Sequence, residues 1–303
     1  MKYPEKMSVY HGQRNWNYID AFGNRKYFQY VRGYYDNIEK SLNKHKHSFH
    51  EINIIVSGEG RHYISERSCE AKQGMVFIIP PDIEHGYYTE NGICVFHILL
   101  SDAFMGKFNA DFEKLNGYTM LFGVEPFLRG GFQQECFLKL NYYELKQFTP
   151  AFERLCFLQK ENSQTIELEK AFITATLIIE FLSLSINDPN DKKCKSNDKK
   201  FLKIVHCMEF VYSNMCEKIN FTKLAEKYDM SYSDFLRKFK EYSGFSPSEY
   251  LLYCRLQNAK KLLLKGEEKI TVIALECGFF DSSHFTKAFR KEFGISPNDF
   301  RKK

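Results

Sequence analysis

No C-x-x-C pair occurs anywhere in this 303-residue sequence, and its nine cysteines (Cys69, Cys94, Cys136, Cys156, Cys194, Cys207, Cys216, Cys254 and Cys277) are scattered and odd in number. That excludes a disulfide framework and a thiolate zinc site, and it reads as reduced cytosolic thiols. Long apolar runs are missing too. The N-terminal MKYPEKMSVYHGQRNW lacks the core of a signal peptide, and the most apolar stretch, 172–186, is interrupted by Glu180 and several hydroxyls. The expectation is a cytoplasmic protein with no membrane partner. Nor is the chain short of aromatics: 29 Phe and 19 Tyr within a 44% hydrophobic composition exclude a disordered protein. At this length two domains with separate cores are expected.

Net charge becomes informative once it is divided. Residues 198–303 hold 20 Lys and Arg against 14 Asp and Glu, a balance of +6; the whole chain is +5, which leaves −1 for the rest. A positive C-terminal part suits a domain that meets a polyanion, though solvated surfaces of this charge are also common. Between the two parts, residues 187–200 (NDPNDKKCKSNDKK) have almost no large apolar side chain and read as a linker.

Upstream, residues 27–100 read as short strands: YFQYVRGYY, FHEINIIVSG, GRHYIS, GMVFIIP and GICVFHILLS. Gly58-Glu59-Gly60, Gly74, Pro80-Pro81 and Asn91-Gly92 separate them, a pattern expected of a sandwich or barrel. Helical periods follow. Thr149-Pro150 looks like a cap and first-turn pair for a helix through Phe152, Leu155 and Leu158. A second helix from about Glu167 carries Leu168, Phe172, Ala175 and Ile179 at three- or four-residue steps. The two helices suit either a dimerisation unit or a cover for the barrel.

Beyond the linker the chain repeats itself. At an offset of 50 residues, Ser233/Ser283, Phe235/Phe285, Phe239/Phe289, Gly244/Gly294, Ser246/Ser296 and Pro247/Pro297 are identical. One repetition of this period is a duplicated supersecondary unit. In the first copy Asn220 caps a helix through Leu224-Ala225, Asp229-Met230-Ser231 makes the turn, and a second helix carries Phe235 and Phe239. In the second copy Ile270, Ile273 and Ala274 form the packing face, Gly278-Phe279 turns, and Asp281 or Ser282 caps the helix of Phe285 and Phe289. Two helices joined by so short a turn are a helix-turn-helix. Because the phenylalanines face inward, Ser233, Leu236, Arg237 and Lys240 are left outward in the first copy. The second leaves Ser282, Ser283, His284, Lys287 and Arg290. These are the candidate DNA contacts, since arginine can grip guanine with two hydrogen bonds and short hydroxyls can reach bases or phosphates. Between the copies, Ser246-Pro247-Ser248-Glu249 is a capping box and Lys265-Gly266 a stop. The intervening strut of about 18 residues would be roughly 27 Å long. Such a strut suits two recognition helices about one DNA turn, roughly 34 Å, apart.

The run S-x-S-x-F-x-R-x-F-K-x-x-x-G-x-S-P-x-x-Y at 231–250, Arg255-Leu256, the segment 259–263, and G-F-x-D-S-S-H-F-x-K-x-F-R-K-x-F-G-I-S-P-x-x-F-R at 278–301 closely resemble the AraC/XylS family of transcription regulators. Three positions depart from the family pattern: Leu236 replaces a polar base reader, Lys238 an apolar residue, and Lys269 a Ser or Thr cap. A leucine at 236 retains only apolar contact, such as with a thymine methyl.

Upstream, His45-x-His47-x₃-Glu51-x₆-Gly58 and Gly74-x₅-Pro80-x₄-His85 resemble the two motifs of the cupin barrel, with Asp82 at a usual glycine and Thr89 at a usual asparagine. In metal-binding cupins the three histidines and the glutamate are ligands. In sensor domains of AraC-type regulators the same pattern is often without a catalytic role. Strand alternation puts His45 and His47 on one face. His97 and His62 are either barrel-lining or satisfied core histidines, while His50 and His11 carry no signal.

The expectation is therefore an α+β multidomain protein. It consists of a cupin-like ligand-sensing domain with an N-terminal arm (1–148), a helical dimerisation region (149–186), a linker (187–200) and a double helix-turn-helix DNA-binding domain (201–303). It would be a homodimeric regulator, an activator by resemblance, that binds duplex promoter DNA and RNA polymerase. A small polar effector, such as a sugar, would be held by His45, His47, Glu51, His85 and His97, with no catalytic residue, metal or cofactor. The alternative is a metal-dependent cupin enzyme fused to a DNA-binding module.

Overall fold

The computed structural model describes residues 15–16, 30–129, 138–160, 163–186, 199–266 and 268–302. The chain divides into two compact units, Met1–Lys195 and Ser196–Lys303. The expected linker lies outside the described residues except for Lys199 and Lys200, which begin the first helix of the second unit.

Among its described residues the first unit has nine strands: β1 (Asn15–Trp16), β2 (Val31–Ile38), β3 (Ser41–His47), β4 (His50–Ile64), β5 (Arg67–Lys72), β6 (Met75–Ile79), β7 (His85–Tyr88), β8 (Ile93–Leu100) and β9 (Leu138–Lys139). The glycines at 58–60 were expected to end a strand, but β4 runs through them for 15 residues. Its first half pairs with β8 and β6, and its second half with β5 and β7, so one strand belongs to two layers. The first layer runs β2-β8-β4-β6-β9, and the second sets β4 between β5 and β7, with β3 and then β1 beyond β7. All pairings are antiparallel except β1 with β3. Two features let β4 cross over. A bulge between Ile55 and Ser57 bends it, and Gly58 at φ +80° lies so close to the β8 entry that a Cβ would stand 2.2 Å from Gly92 O. Ile38, Ile55, Met75, Phe77, Ile79, Tyr87 and Val95 fill the space between the layers.

Helices α1 (Asp102–Phe112) and α2 (Glu125–Leu128), the latter preceded by a π-helical turn, follow β8. α3 (Tyr142–Leu158) begins eight residues before the expected Thr149-Pro150 start. Asn141 and Glu144 form a full capping box, a stronger signal than a proline. Pro150 is therefore interior, and the Thr149 hydroxyl donates back to Leu145 O at 2.9 Å. α3 lies on β2 at Gly33, where its Leu155 is fully buried, and Phe152 stacks on Phe96 at 4.4 Å.

On α4 (Gln164–Ile186) the inward stripe differs from the expected one, of which only Ala175 is buried. Glu167, Lys170, Ala171, Thr174, Ile178 and Phe181 are buried, whereas Phe172 and Ile179 are exposed. The helix is apolar on nearly all sides, so periodicity could not select a face. The selection falls to a buried Glu167–Lys170 pair at 2.5 Å, whose carboxylate also accepts from Tyr30 N at the entry to β2.

The second unit is wholly helical: α5 (Lys199–Ser213), α6 (Phe221–Lys227), α7 (Tyr232–Ser243), α8 (Pro247–Lys265), α9 (Ile270–Glu276), α10 (Ser282–Phe293) and α11 (Pro297–Arg301). No helix among the described residues is long and apolar enough to cross a membrane. The described cysteines are all free thiols.

Candidate functional site

In the second unit the caps expected at Asn220, Ser246 and Asp281 are present, and Ser231, expected in the turn, is a fourth. Asn220, Ser231, Ser246 and Asp281 each accept a backbone N–H from the first turn of α6, α7, α8 and α10. Lys269, at the start of α9, makes no such bond. Asp229 at φ +50° and Gly278 at φ +77° occupy equivalent turn positions. Only glycine fits at 278, because a Cβ would lie 2.6 Å from Cys216 O. The neighbouring Arg255 donates to Met215 O (2.7 Å) and Glu217 O (2.8 Å), which ties the strut α8 to the loop ahead of α6.

On α7, Phe235 and Phe239 are fully buried, Ser233, Arg237 and Lys240 are exposed, and Leu236 is half-buried. On α10, Phe285 and Phe289 are buried, Ser283, His284, Lys287 and Arg290 exposed, and Ser282 half-buried. Each helix therefore presents a polar, mostly basic outer face. Arg237 is engaged within its own helix, by Asp234 and by Glu241 at 3.1 Å, and Asp234 is also held by Lys200 at 2.7 Å. Those bonds hold the Asp234 carboxyl below its usual range, the Lys200 contact foremost. Phe280 was not singled out from the sequence. It is 91% exposed and forms an extra residue in the second turn: Ser231 follows Met230 directly, while Phe280 separates Asp281 from Phe279.

In the first unit Glu51 organises the interior. Its Oε2 accepts from Nε2 of His47 (2.9 Å) and of His85 (3.0 Å), and its Oε1 from Nδ1 of His97 (2.7 Å). The Asn53 side chain is buried beside Glu51 and lies 3.1 Å from the Tyr87 hydroxyl. Three histidine contacts use the lone pairs of one buried carboxylate. Burial drives the Glu51 carboxyl upward, but the bonds from His47, His85 and His97 outweigh it and hold the group well below the usual carboxylate range. For His45, burial together with the neighbouring His85 lowers the imidazole to about 3. His85 and His62 are likewise lowered by burial, and His62 further by Arg129.

Of the five expected ligand-site residues, His47, Glu51, His85 and His97 form one hydrogen-bonded cluster. His45 joins it through ring contact with His85 at 4.4 Å. His45, His47 and His85 each turn Nδ1 to a backbone carbonyl, of Asn43 (3.0 Å), Phe49 (2.8 Å) and Ile83 (3.2 Å). Carbonyl-anchored Nδ1–H is how metal-binding histidines are oriented. Ligand atoms of His45, Glu51 and His85 lie within 4.8 Å of one another, so these three residues fit a divalent cation. A neutral His85 carries one ring proton, which serves either the Glu51 carboxylate through Nε2 or the Ile83 carbonyl through Nδ1. Asp82 keeps φ at +65° where glycine is usual, with its N–H on His47 O at 2.7 Å. Thr89 is buried and donates to Glu59 O at 2.7 Å.

Sequence alone leaves His62 either barrel-lining or a core histidine. Glu51 and His62 are eleven residues apart, which in a regular strand puts them on opposite faces. The Ile55/Ser57 bulge reverses that parity and brings His62 inside, fully buried and stacked on Tyr87 at 4.6 Å. Neither of its ring nitrogens has a hydrogen-bond partner, nor does Nε2 of His97. Each such orphan costs roughly 1–3 kcal/mol.

Comparison with known proteins assigns both units. The family description "AraC-like ligand binding domain" matches residues 28–175, and "Helix-turn-helix domain" matches 224–303. The chain belongs to the AraC family. The HTH-type transcriptional activator RhaS of Escherichia coli (strain SE11) is 27% identical over 260 residues, 85% of this chain and 87% of that protein. RhaS of Escherichia fergusonii is 25% identical over 265 residues, with the same coverage. A solved transcriptional regulator with an AraC-type DNA-binding domain, from Chromobacterium violaceum, is 31% identical with a TM-score of 0.32; it covers 35% of this chain and 95% of its own. This AraC-family chain is thus a DNA-binding regulator with a ligand-binding domain, and its relatives are regulators.

Proposed function

We propose that this regulator is a homodimeric activator of transcription in the cytoplasm, whose α7 and α10 enter the major groove of promoter DNA and whose barrel holds a small polar effector. The domain limits are those read from the sequence: sensor and arm 1–148, dimerisation region 149–186, linker 187–200 and DNA-binding domain 201–303. The observation that carries the reading is the pair of capped helix-turn-helix units, each with buried phenylalanines behind an exposed polar face. Activation follows from the name of its relatives, and an activator acts through RNA polymerase. Pairing of protomers is supported by Phe172 and Ile179, apolar residues left outward on α4. Regulation requires differential binding between two states rather than turnover, so no catalytic residue is assigned. Arg237 must leave Asp234 and Glu241 to reach a base; exposed ion pairs are worth about 0–1 kcal/mol and a bidentate guanine contact about 1–3, so the exchange is favourable. Arg237→Ala and Lys287→Ala should each weaken operator binding by roughly 1–3 kcal/mol in quantitative footprinting. Wild-type footprints from both would make those side chains solvated bystanders.

A second reading of the barrel is favoured by the three Nδ1–carbonyl contacts, which suit a divalent cation bound by His45, Glu51 and His85. Elemental analysis of the purified protein separates the two. The small-molecule reading expects well under one metal per chain, whereas stoichiometric metal that disappears in His85→Ala would establish the cation.

A further inference from the structure

Arg237 on α7 is held by two carboxylates, and each of them already has a second cation. Asp234 turns Oδ1 to Arg237 and Oδ2 to Lys200 Nζ at 2.7 Å, while Glu241 turns Oε2 to Arg237 at 3.1 Å and Oε1 to Lys238 Nζ at 2.8 Å. One aromatic ring seats both lysines. Phe201, the residue after Lys200 on α5, is fully buried against Tyr242 at 5.4 Å, and Lys238 Nζ lies 5.0 Å from the same ring. The second copy of the repeat lacks these residue types. The 50-residue offset sets Lys287 at the place of Arg237, but His284 at that of Asp234, Lys291 at that of Glu241 and Ala288 at that of Lys238. The restraint and its two lysines therefore belong to the first helix-turn-helix alone.

We infer that Lys200 and Lys238 are positioning residues for Arg237, which take over Asp234 and Glu241 when the guanidinium leaves them for DNA. The inference rests on the reading that α7 is a DNA-reading helix. Two physical effects act in the same direction. Before DNA arrives, each carboxylate spends one oxygen on a lysine, so neither can grip the guanidinium with both oxygens, which is the strong form of this contact. After Arg237 has turned to a base, each carboxylate still faces a lysine. Without the lysines two bare negative charges would be left beside the phosphate backbone, and like charges repel. Lys200, ahead of Arg237, is the main influence that holds the Asp234 carboxyl below its usual range, so Asp234 stays ionised and paired once Arg237 has gone.

The test measures the affinity of the full chain for a duplex that wild type has selected from random-sequence DNA. Lys200→Met and Lys238→Met keep the apolar stems and remove the charges. Each should weaken binding about threefold and the two together about tenfold, the range expected of exposed ion pairs. Arginine at either position should restore wild-type affinity. In an Asp234→Asn, Glu241→Gln background Arg237 has no carboxylate to leave, and there the same methionine changes should have no effect. A loss that persists in that background is a direct phosphate contact by the lysines and overturns the inference. Unchanged affinity in both methionine variants, with Arg237→Ala still weakening binding, also overturns it while leaving the reading of α7 intact. Should Arg237→Ala be silent too, the reading of α7 falls and the inference with it. If Lys238→Met lowers the melting temperature, Lys200→Met carries the comparison alone.

Discussion

Protonation is where single residues of this regulator have the largest leverage. His45, His62 and His85 are held below the ordinary imidazole range chiefly by burial, and Glu51 below the carboxylate range by its three histidine donors. In every case the unfolded chain binds the proton more readily than the folded one, so stability is fully present above the unfolded values and is lost as pH falls toward the folded ones. The histidine part of the loss begins near pH 6.5, the free imidazole value, and continues toward about 3, where His45 titrates when folded; Glu51 adds to it below about 4.3. Calorimetry of the metal-free full chain should therefore show the barrel transition falling steadily from pH 7 to pH 4. A barrel transition that holds its temperature across that range would mean the cluster is already protonated when folded.

At the scale of elements, the two helix-turn-helix units differ in how their helices are started and sealed. α6 begins under the Asn220 side chain, whereas α9 begins at Lys269 with no side-chain cap. Lys269→Ser should supply the missing bond and raise the stability of the second unit by about 0.5–2 kcal/mol in chemical denaturation, without altering its fold. Phe239 lies at the centre of the first helix pair, fully buried and 5.6 Å from the Phe235 ring and 5.8 Å from that of Tyr250. Phe239→Ala should cost about 3–5 kcal/mol, enough to unfold a unit of marginal stability, and circular dichroism at 25 °C reads the loss of helix directly. A melting curve matching wild type would show that this helix pair is not held by its aromatic core.

For the whole molecule, the division of charge and the division of structure coincide. The boundary between Lys195 and Ser196 separates a unit with a polar buried cluster from a helical unit that carries the positive balance. Residues 198–303 contain their own core, centred on Leu256, Ala259, Ile273, Phe285 and Phe289 in the second half, and should bind duplex DNA without the barrel. Each phosphate contact releases counterions, so the logarithm of the affinity should fall linearly with the logarithm of salt concentration, with a slope of about −0.9 per contact. A folded fragment whose promoter binding ignores salt would contradict the assignment of this face.

The sequence by itself determined the helix-turn-helix half almost completely, because its signals are local. Asn220, Ser231, Ser246 and Asp281 bond to backbone within their own first turns, and Gly244, Gly266 and Gly294 close helices by adopting positive φ. The resemblance to the cupin motifs also singled out His45, His47, Glu51 and His85, and strand alternation put His45 and His47 on one face. What only the tertiary structure decided is non-local. The bulge that turns His62 inward is a property of β4 pairing with β8, and the buried face of α4 follows from Glu167 and Lys170 meeting the entry to β2. Pro150 sits inside α3 because the Asn141–Glu144 capping box starts that helix two turns earlier, while Leu155 docks on Gly33 of β2. Where neighbours in the chain supply both partners of an interaction, the residues can be read in order; where the partners lie in different strands and helices, packing makes the choice.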